Sequence, residues 1–318
     1  MRNNEATPTS EKAWPRIRGL VAAPFTPMHA DGSLNLDMIP QLAAALIRDG
    51  VVGAFVCGTT GEGMSLSLTE RMAVAESWVR SAAGSLKIIV HVGHTCIGEA
   101  QALADHAQRV GADAIASMAP CFFHPTDARA LADYCATIAS AAHQKPFYYY
   151  HIPSMTNVNM LVSDFLRQAG GIPTLAGVKY THYDLMDLSL CMRMEQGRYD
   201  ILYGRDETLL AGLSVGVQGA VGSTYNFAAP IYHRLMRAYA EGDMETSRRE
   251  QALAADIIAT FGRYGGLPTQ KAIMRMIGLD CGPVRLPLRD LSQTQYKEVY
   301  SCLEGMGFFA ERAAHREG

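Results

Sequence analysis

Short runs of branched apolar residues alternate with longer amphipathic stretches along most of this chain. Residues 17 to 24 (IRGLVAAP) form the first run, and the apolar spacing from Leu36 to Ile47 predicts a helix behind it. The pattern then repeats. VVGAFVC at 51 to 57 precedes a helix over Thr69 to Ala83, with Thr69 placed to cap it. KIIVHV at 87 to 92 precedes Glu99 to Arg109, and DAIASM at 113 to 118 precedes Ala128 to Ala142. PFYYY at 146 to 150 is followed by Leu161 to Gln168, and LAGVKY at 175 to 180 by Leu185 to Met194. DILY at 200 to 203 leads to Glu207 to Val215, and VQGAVG at 217 to 222 is the eighth run.

Eight strand–helix units in succession predict a closed α/β architecture, a (β/α)8 TIM barrel, rather than a doubly wound sheet. A dinucleotide-binding fold needs GxGxxG directly after its first strand, and none follows residue 24. The alternation stops after Tyr225. Ala228 to Ala240 completes the eighth unit, while Glu245 to Phe261, Gln270 to Ile277 and Ser292 to Leu303 form a C-terminal helical extension packed on the barrel. The expected organisation is a leader over residues 1–15, a catalytic barrel over 16–240 and the extension over 241–318.

Composition narrows the partners. A formal charge of −3 over 318 residues offers no basic surface for DNA, RNA or an anionic membrane. No secretory leader and no run of eighteen apolar residues is present, which predicts a cytoplasmic protein. The seven cysteines are scattered and include no CxxC pair, so neither a disulfide framework nor a thiolate zinc site is indicated.

Six lysines occur, and position separates them. Lys87 and Lys145 open strands, at the face of a barrel concerned with stability; Lys12, Lys271 and Lys297 lie in the leader or the appended helices. Only Lys179 falls near the C-terminal end of a strand, where barrel active sites assemble. Alternation places Leu175, Gly177, Lys179 and Thr181 on one face. If that face points inward, burial lowers the amine's pKa and readies it to attack a ketone. The other reading is a lysine that snorkels outward or pairs with Asp184 or Asp206.

Other strand ends carry polar groups. Gly58-Thr59-Thr60-Gly61-Glu62-Gly63 suits a carboxylate or phosphate, or is a simple turn with capping hydroxyls. Among Tyr148, Tyr149 and Tyr150, the outer two share a side; a tyrosine at the mouth can move a proton, although three aromatics in a strand are more often packing. Gly204-Arg205-Asp206-Glu207 and Gly222-Ser223-Thr224-Tyr225-Asn226 can hold sugar hydroxyls, unless Asp206 caps the next helix. His91 and His94 point to opposite faces of a strand and lack a carboxylate partner at ligand spacing, so no metal is expected.

Taken together, PFTP at Pro24 to Pro27, GTTGE, YYYHIP, GVKYT at Gly177 to Thr181 and GAVGSTYN at Gly219 to Asn226 resemble the family of N-acetylneuraminate lyase and dihydrodipicolinate synthase, in its order and spacing. The resemblance implies a Schiff-base aldolase without a cofactor. It makes Lys179 the imine-forming lysine and Tyr150 the proton shuttle, with Thr59 and Thr60 on the pyruvyl carboxylate and Thr59 relaying to Tyr150. It assigns the polar chain of the sugar to Thr181, Gly204, Asp206, Glu207 and Ser223. GTTGEG with MSLSLTER, GRDE and GSTYN are similar to the sialic acid branch, which implies pyruvate, N-acetylmannosamine and N-acetylneuraminate as substrates. Another pyruvate-dependent aldolase, acting on a 2-keto-3-deoxy sugar acid, is the alternative. A homotetramer built as a dimer of dimers is implied as well.

Two departures matter. Met155 stands where the synthases carry an arginine for their second substrate. Phe122 and Phe123 stand where many bacterial relatives carry tyrosines of a hydroxyl relay, and phenylalanine passes no proton.

Overall fold

The computed structural model of the chain describes residues 14–310 and residue 312. The expected leader therefore lies almost wholly outside the described residues, as does the end of the expected extension. Strands β1 (Gly19–Ala22), β2 (Gly53–Val56), β3 (Lys87–His91), β4 (Ala114–Met118), β5 (Phe147–His151), β6 (Leu175–Tyr180), β7 (Asp200–Tyr203) and β8 (Gly219–Gly222) close into a barrel in sequence order. Neighbours are parallel throughout, and β8 returns to pair with β1.

Helices α1 (Ile39–Arg48), α2 (Leu68–Ala82), α3 (Ile97–Arg109), α4 (Ala128–Ser140), a single turn α5 (Pro153–Thr156), α6 (Val162–Ala169), α7 (Leu185–Arg193), α8 (Leu209–Ser214) and α9 (Ala229–Glu241) surround it. Beyond the barrel lie α10 (Met244–Tyr264), α11 (Gly266–Met276) and α12 (Gln293–Gly305).

Every strand is buried on both faces, which is why each reads as an almost unbroken apolar run. Outward side chains such as Val56, Ile88, Tyr149 and Val178 pack under the helices. Inward ones, including Val21, Phe55, Ile89, Tyr148, Leu202 and Val221, fill the barrel's centre. Each fully buried large apolar side chain contributes roughly 1.5–3 kcal/mol relative to exposure, so the filled centre is a rigid platform for the strand ends.

Two local expectations are corrected. Thr69 is not the cap of α2. Ser67 is, its hydroxyl accepting from the Glu70 amide while the Glu70 carboxylate accepts from the Ser67 amide. Leu175 does not share the face of Lys179 either. The β5–β6 register slips by one residue between Phe147 and Tyr148, which oppose Leu175 and Gly177. Leu175 thus packs outward and Ala176 inward. Gly177 fits at this bulge because a Cβ there would lie 1.8 Å from the Asp200 carbonyl oxygen.

Candidate active site

The slip in β6 sets the remaining alternation so that Lys179 points into the barrel. Its side chain is 4% exposed, with Nζ 3.9 Å from the centre of the Phe55 ring and 4.0 Å from that of Tyr150. Burial lowers the amine to about pKa 7, against the opposing pull of the Asp206 carboxylate. Lys179 forms no ion pair with either carboxylate considered from sequence. Asp184 caps α7 by accepting from the Asp187 amide. Asp206 accepts from the amide and hydroxyl of Thr224 at 2.9 and 2.6 Å. Asp206 thus ties the end of β7 to the end of β8 rather than capping the next helix. Burial raises its pKa to about 6.

Tyr150 is the strand neighbour of Lys179 across β5–β6 and shares the interior with Tyr148, while Tyr149 packs outside. Tyr148 donates to Asp200 at the opposite end of the barrel, where Asp200 also accepts from the Ile17 amide. Of the three, Tyr150 alone reaches the mouth, its hydroxyl 3.2 Å from Thr59 Oγ1. Burial pushes its phenol up to about 12; the hydroxyls of Thr59 and Thr181 pull it down, and Asp206 pushes it up. Thr181 Oγ1 is itself buried and makes no other hydrogen bond of good geometry.

The turn after β2 is closed internally. Glu62 and Gly63 donate their amides to the carbonyls of Thr59 and Gly58, and Thr26 of the PFTP segment donates its hydroxyl to the Gly61 carbonyl. This leaves the hydroxyls of exposed Thr59 and half-buried Thr60 at the tip. A Cβ on Gly63 would meet the Cys57 carbonyl oxygen at 1.9 Å, so glycine is required there. Gly204, at the end of β7, lies so close to Thr181 that a Cβ would sit 2.0 Å from the threonine oxygen. Glu207 is held by Arg205 at 2.5 Å, and half-buried Ser223 follows β8, its carbonyl accepting from the Asn226 amide group.

All nine residues singled out from sequence therefore lie at the C-terminal ends of β2, β5, β6, β7 and β8. Two neighbours escaped that reading, Phe55, which walls the amine, and Tyr183, stacked on Arg205; Thr224, named from sequence with the polar cluster after β8, holds Asp206. Inward alternation along β2 was the available signal for Phe55. Nothing local marked Tyr183.

The histidines have ordinary structural partners. His91 Nδ1 lies 3.1 Å from the Cys57 carbonyl, Arg71 donates to the His91 carbonyl at 2.6 Å, and burial drives the His91 ring well below its usual pKa. His94 accepts from the Cys96 amide. Among the described residues, no three His, Cys, Asp or Glu side chains converge as a metal site would require. A cavity of about 430 Å³ opens at the other end of the barrel, between Trp14, Arg16, Lys87 and Lys145. It is remote from Lys179, so the chemistry, not the size of the hollow, locates the site.

The model of the dihydrodipicolinate synthetase family matches residues 16–306. The chain belongs to that family. Within it, the chain is 41% identical to the N-acetylneuraminate lyase of Gallus gallus over 299 residues, covering 92% of this chain and 96% of the relative. The N-acetylneuraminate lyase of Proteus mirabilis is 40% identical with a TM-score of 0.90, covering 92% of this chain and all of that one. A Ruminococcus gnavus sialic acid aldolase, solved as a catalytic lysine mutant, is 27% identical with a TM-score of 0.87 over 93% of this chain and 97% of that one. Family membership and the barrel agree: this is a fold whose members work at the strand ends just described.

Proposed function

We infer that the protein is a Schiff-base lyase that reversibly cleaves N-acetylneuraminate to pyruvate and N-acetylmannosamine. The observation that carries the inference is one amine, sealed among aromatic rings and held near neutrality by burial, beside a tyrosine that reaches a threonine turn. The likeness to N-acetylneuraminate lyases over nearly the whole length supports the choice of substrate.

In this reading, neutral Lys179 attacks the C2 ketone of the open-chain acid, and loss of water leaves a protonated imine. Tyr150 takes the proton of the C4 hydroxyl as the C3–C4 bond breaks, and N-acetylmannosamine departs as the aldehyde. The bonding electrons move into an enamine because the iminium nitrogen accepts them. Protonation at C3 and addition of water then release pyruvate and restore the amine. A phenol near pKa 12 stays protonated at neutral pH and can take up the C4 proton only after losing its own. The cationic iminium beside it favours phenolate and supplies the missing bias, while Thr59 offers a hydroxyl through which the proton passes.

Thr59 and Thr60 bind the pyruvyl carboxylate, keeping the breaking bond aligned with the imine. Thr181, Gly204, Asp206, Glu207 and Ser223 take the hydroxylated chain. Borohydride added with pyruvate should leave a stable adduct on Lys179, mapped by mass spectrometry. Cleavage of a 2-keto-3-deoxy sugar acid without cleavage of N-acetylneuraminate would overturn the substrate assignment. Tyr150→Phe should lower kcat by roughly 10²–10⁴ while keeping the pyruvate adduct; full turnover in that variant rules out the tyrosine as shuttle.

We also propose a cytoplasmic homotetramer, a dimer of dimers. No helix among the described residues is long and apolar enough to cross a membrane. Phe122 and Phe123, 75% and 83% exposed after β4, form an apolar pair suited to contact between subunits. Light scattering should return four times the 34.5 kDa of one chain; a monomer at working concentration rejects the assembly.

A further inference from the structure

Arg205, between the glycine that accommodates Thr181 and the buried Asp206, has no role in the chemistry above. Its guanidinium carbon lies 3.5 Å from the centre of the Tyr183 ring, and its Nη2 pairs with Glu207 Oε1 at 2.5 Å. Tyr183 contributes its hydroxyl to the same carboxylate oxygen at 3.4 Å. Tyr183 follows β6 and is 60% exposed, whereas the Arg205 side chain is only 14% exposed, and its Nε is buried without a hydrogen-bond partner. The tyrosine therefore covers the arginine, and both grip one oxygen of Glu207.

This arrangement has two chemical consequences. Asp206 and Glu207 are adjacent carboxylates at the barrel mouth, and an unopposed pair would repel any ligand approaching with negative charge. The planar arginine supplies the compensating charge, and stacking on Tyr183 fixes its orientation. Glu207 is then fixed as well, with Oε1 occupied and Oε2 left to accept from a ligand hydroxyl.

We propose that Tyr183 and Arg205 are positioning residues that set specificity for a neutral polyhydroxylated chain by aiming Glu207. The proposal rests on the lyase reading, since it places that chain at the end of the substrate remote from the imine. A terminal hydroxyl fits such an acceptor. A terminal phosphate or carboxylate brings a second anion to it and is disfavoured.

The test compares Arg205→Met, Arg205→Lys and Tyr183→Phe with the unaltered enzyme in two assays: cleavage of N-acetylneuraminate, and borohydride trapping across a range of pyruvate concentrations. Arg205→Met should raise KM for N-acetylneuraminate roughly tenfold, the scale of one charge-assisted contact. The pyruvate concentration for half-maximal trapping should move far less. Arg205→Lys should recover part of the loss, and Tyr183→Phe, which keeps the stacking ring, should change KM least. An unchanged KM in Arg205→Met overturns the proposal, as does an equal loss in both assays, which marks a merely structural arginine. Failure of the unaltered enzyme to trap pyruvate instead strikes the lyase reading itself.

Discussion

Lys179→Met should abolish turnover while the barrel stays folded, with an expected loss of at least about 10⁴-fold in kcat and no borohydride adduct. The size of the effect follows from the chemistry. No other lysine in the described residues reaches the barrel's interior: Lys87 pairs with Asp113 at the opposite end, and Lys271 is held by Glu62. Methionine matches the length and apolar character of the lysine stem, so the pocket between Phe55 and Tyr150 remains filled. Circular dichroism separates lost chemistry from lost structure. Appreciable turnover in a folded Lys179→Met variant ends the imine mechanism.

The same substitution has a second signature, in stability. The amine's pKa falls from 10.5 to about 7 on burial. Below about pH 7 the folded state must carry a buried charge that the unfolded chain carries in water, so the penalty is fully present there. It shrinks as pH rises and is absent above 10.5. Lys179→Met should therefore raise Tm most near pH 6 and much less near pH 10. Activity in the unaltered enzyme should show the complementary trend, kcat/KM rising with pH to a midpoint expected near 7 as the amine loses its proton. Because Asp206 holds that pKa up, Asp206→Asn should move the rising limb to lower pH, with whatever loss of binding accompanies it. A limb that stays in place would show that another group controls it.

How much of this was readable in advance depends on the range over which each feature is encoded. The eight strands were legible because parallel strands buried on both faces leave short, nearly continuous apolar runs, as in GAFV and AIASM. Lys179 was legible from its place at a strand end, yet the expected face was wrong for Leu175. Alternation assumes an unbroken pleat, and Gly177, having no side chain, gives no hint that the register slips beside it. The cap of α2 was misplaced by two residues because Ser67 and Thr69 are equally good cap types; only the reciprocal bond with Glu70 decides between them. Contacts between distant segments were not legible at all. Glu62 read as part of a glycine turn and Lys271 as an ordinary helix residue, more than two hundred positions apart.

Those two form the other linkage of large expected effect. Glu62 Oε1 and Lys271 Nζ lie 2.7 Å apart with side chains 3% and 2% exposed, joining the turn that carries Thr59 and Thr60 to helix α11. Each has one further partner: Glu62 Oε2 accepts from the Arg285 amide, and Lys271 donates to the Pro283 carbonyl. Arg285 extends the link to Glu70 on α2 and to the Ser65 carbonyl. The C-terminal extension is thus wired into the catalytic mouth and does more than cover the barrel's side.

Lys271→Met should leave the Glu62 carboxylate buried with the Arg285 amide but without its ion-pair partner, at a cost of about 3–5 kcal/mol and a fall in Tm on the order of ten degrees. Glu62 also holds a left-handed backbone conformation, φ 53°, inside the turn, so loosening its anchor should raise KM for pyruvate in the protein that stays folded. Combining Lys271→Met with Glu62→Gln removes the stranded charge, and the double variant should be much less unstable than the two single losses added together. Simple additivity, or a Lys271→Met variant melting within a degree of the unaltered protein, would show that the pair does not hold the turn.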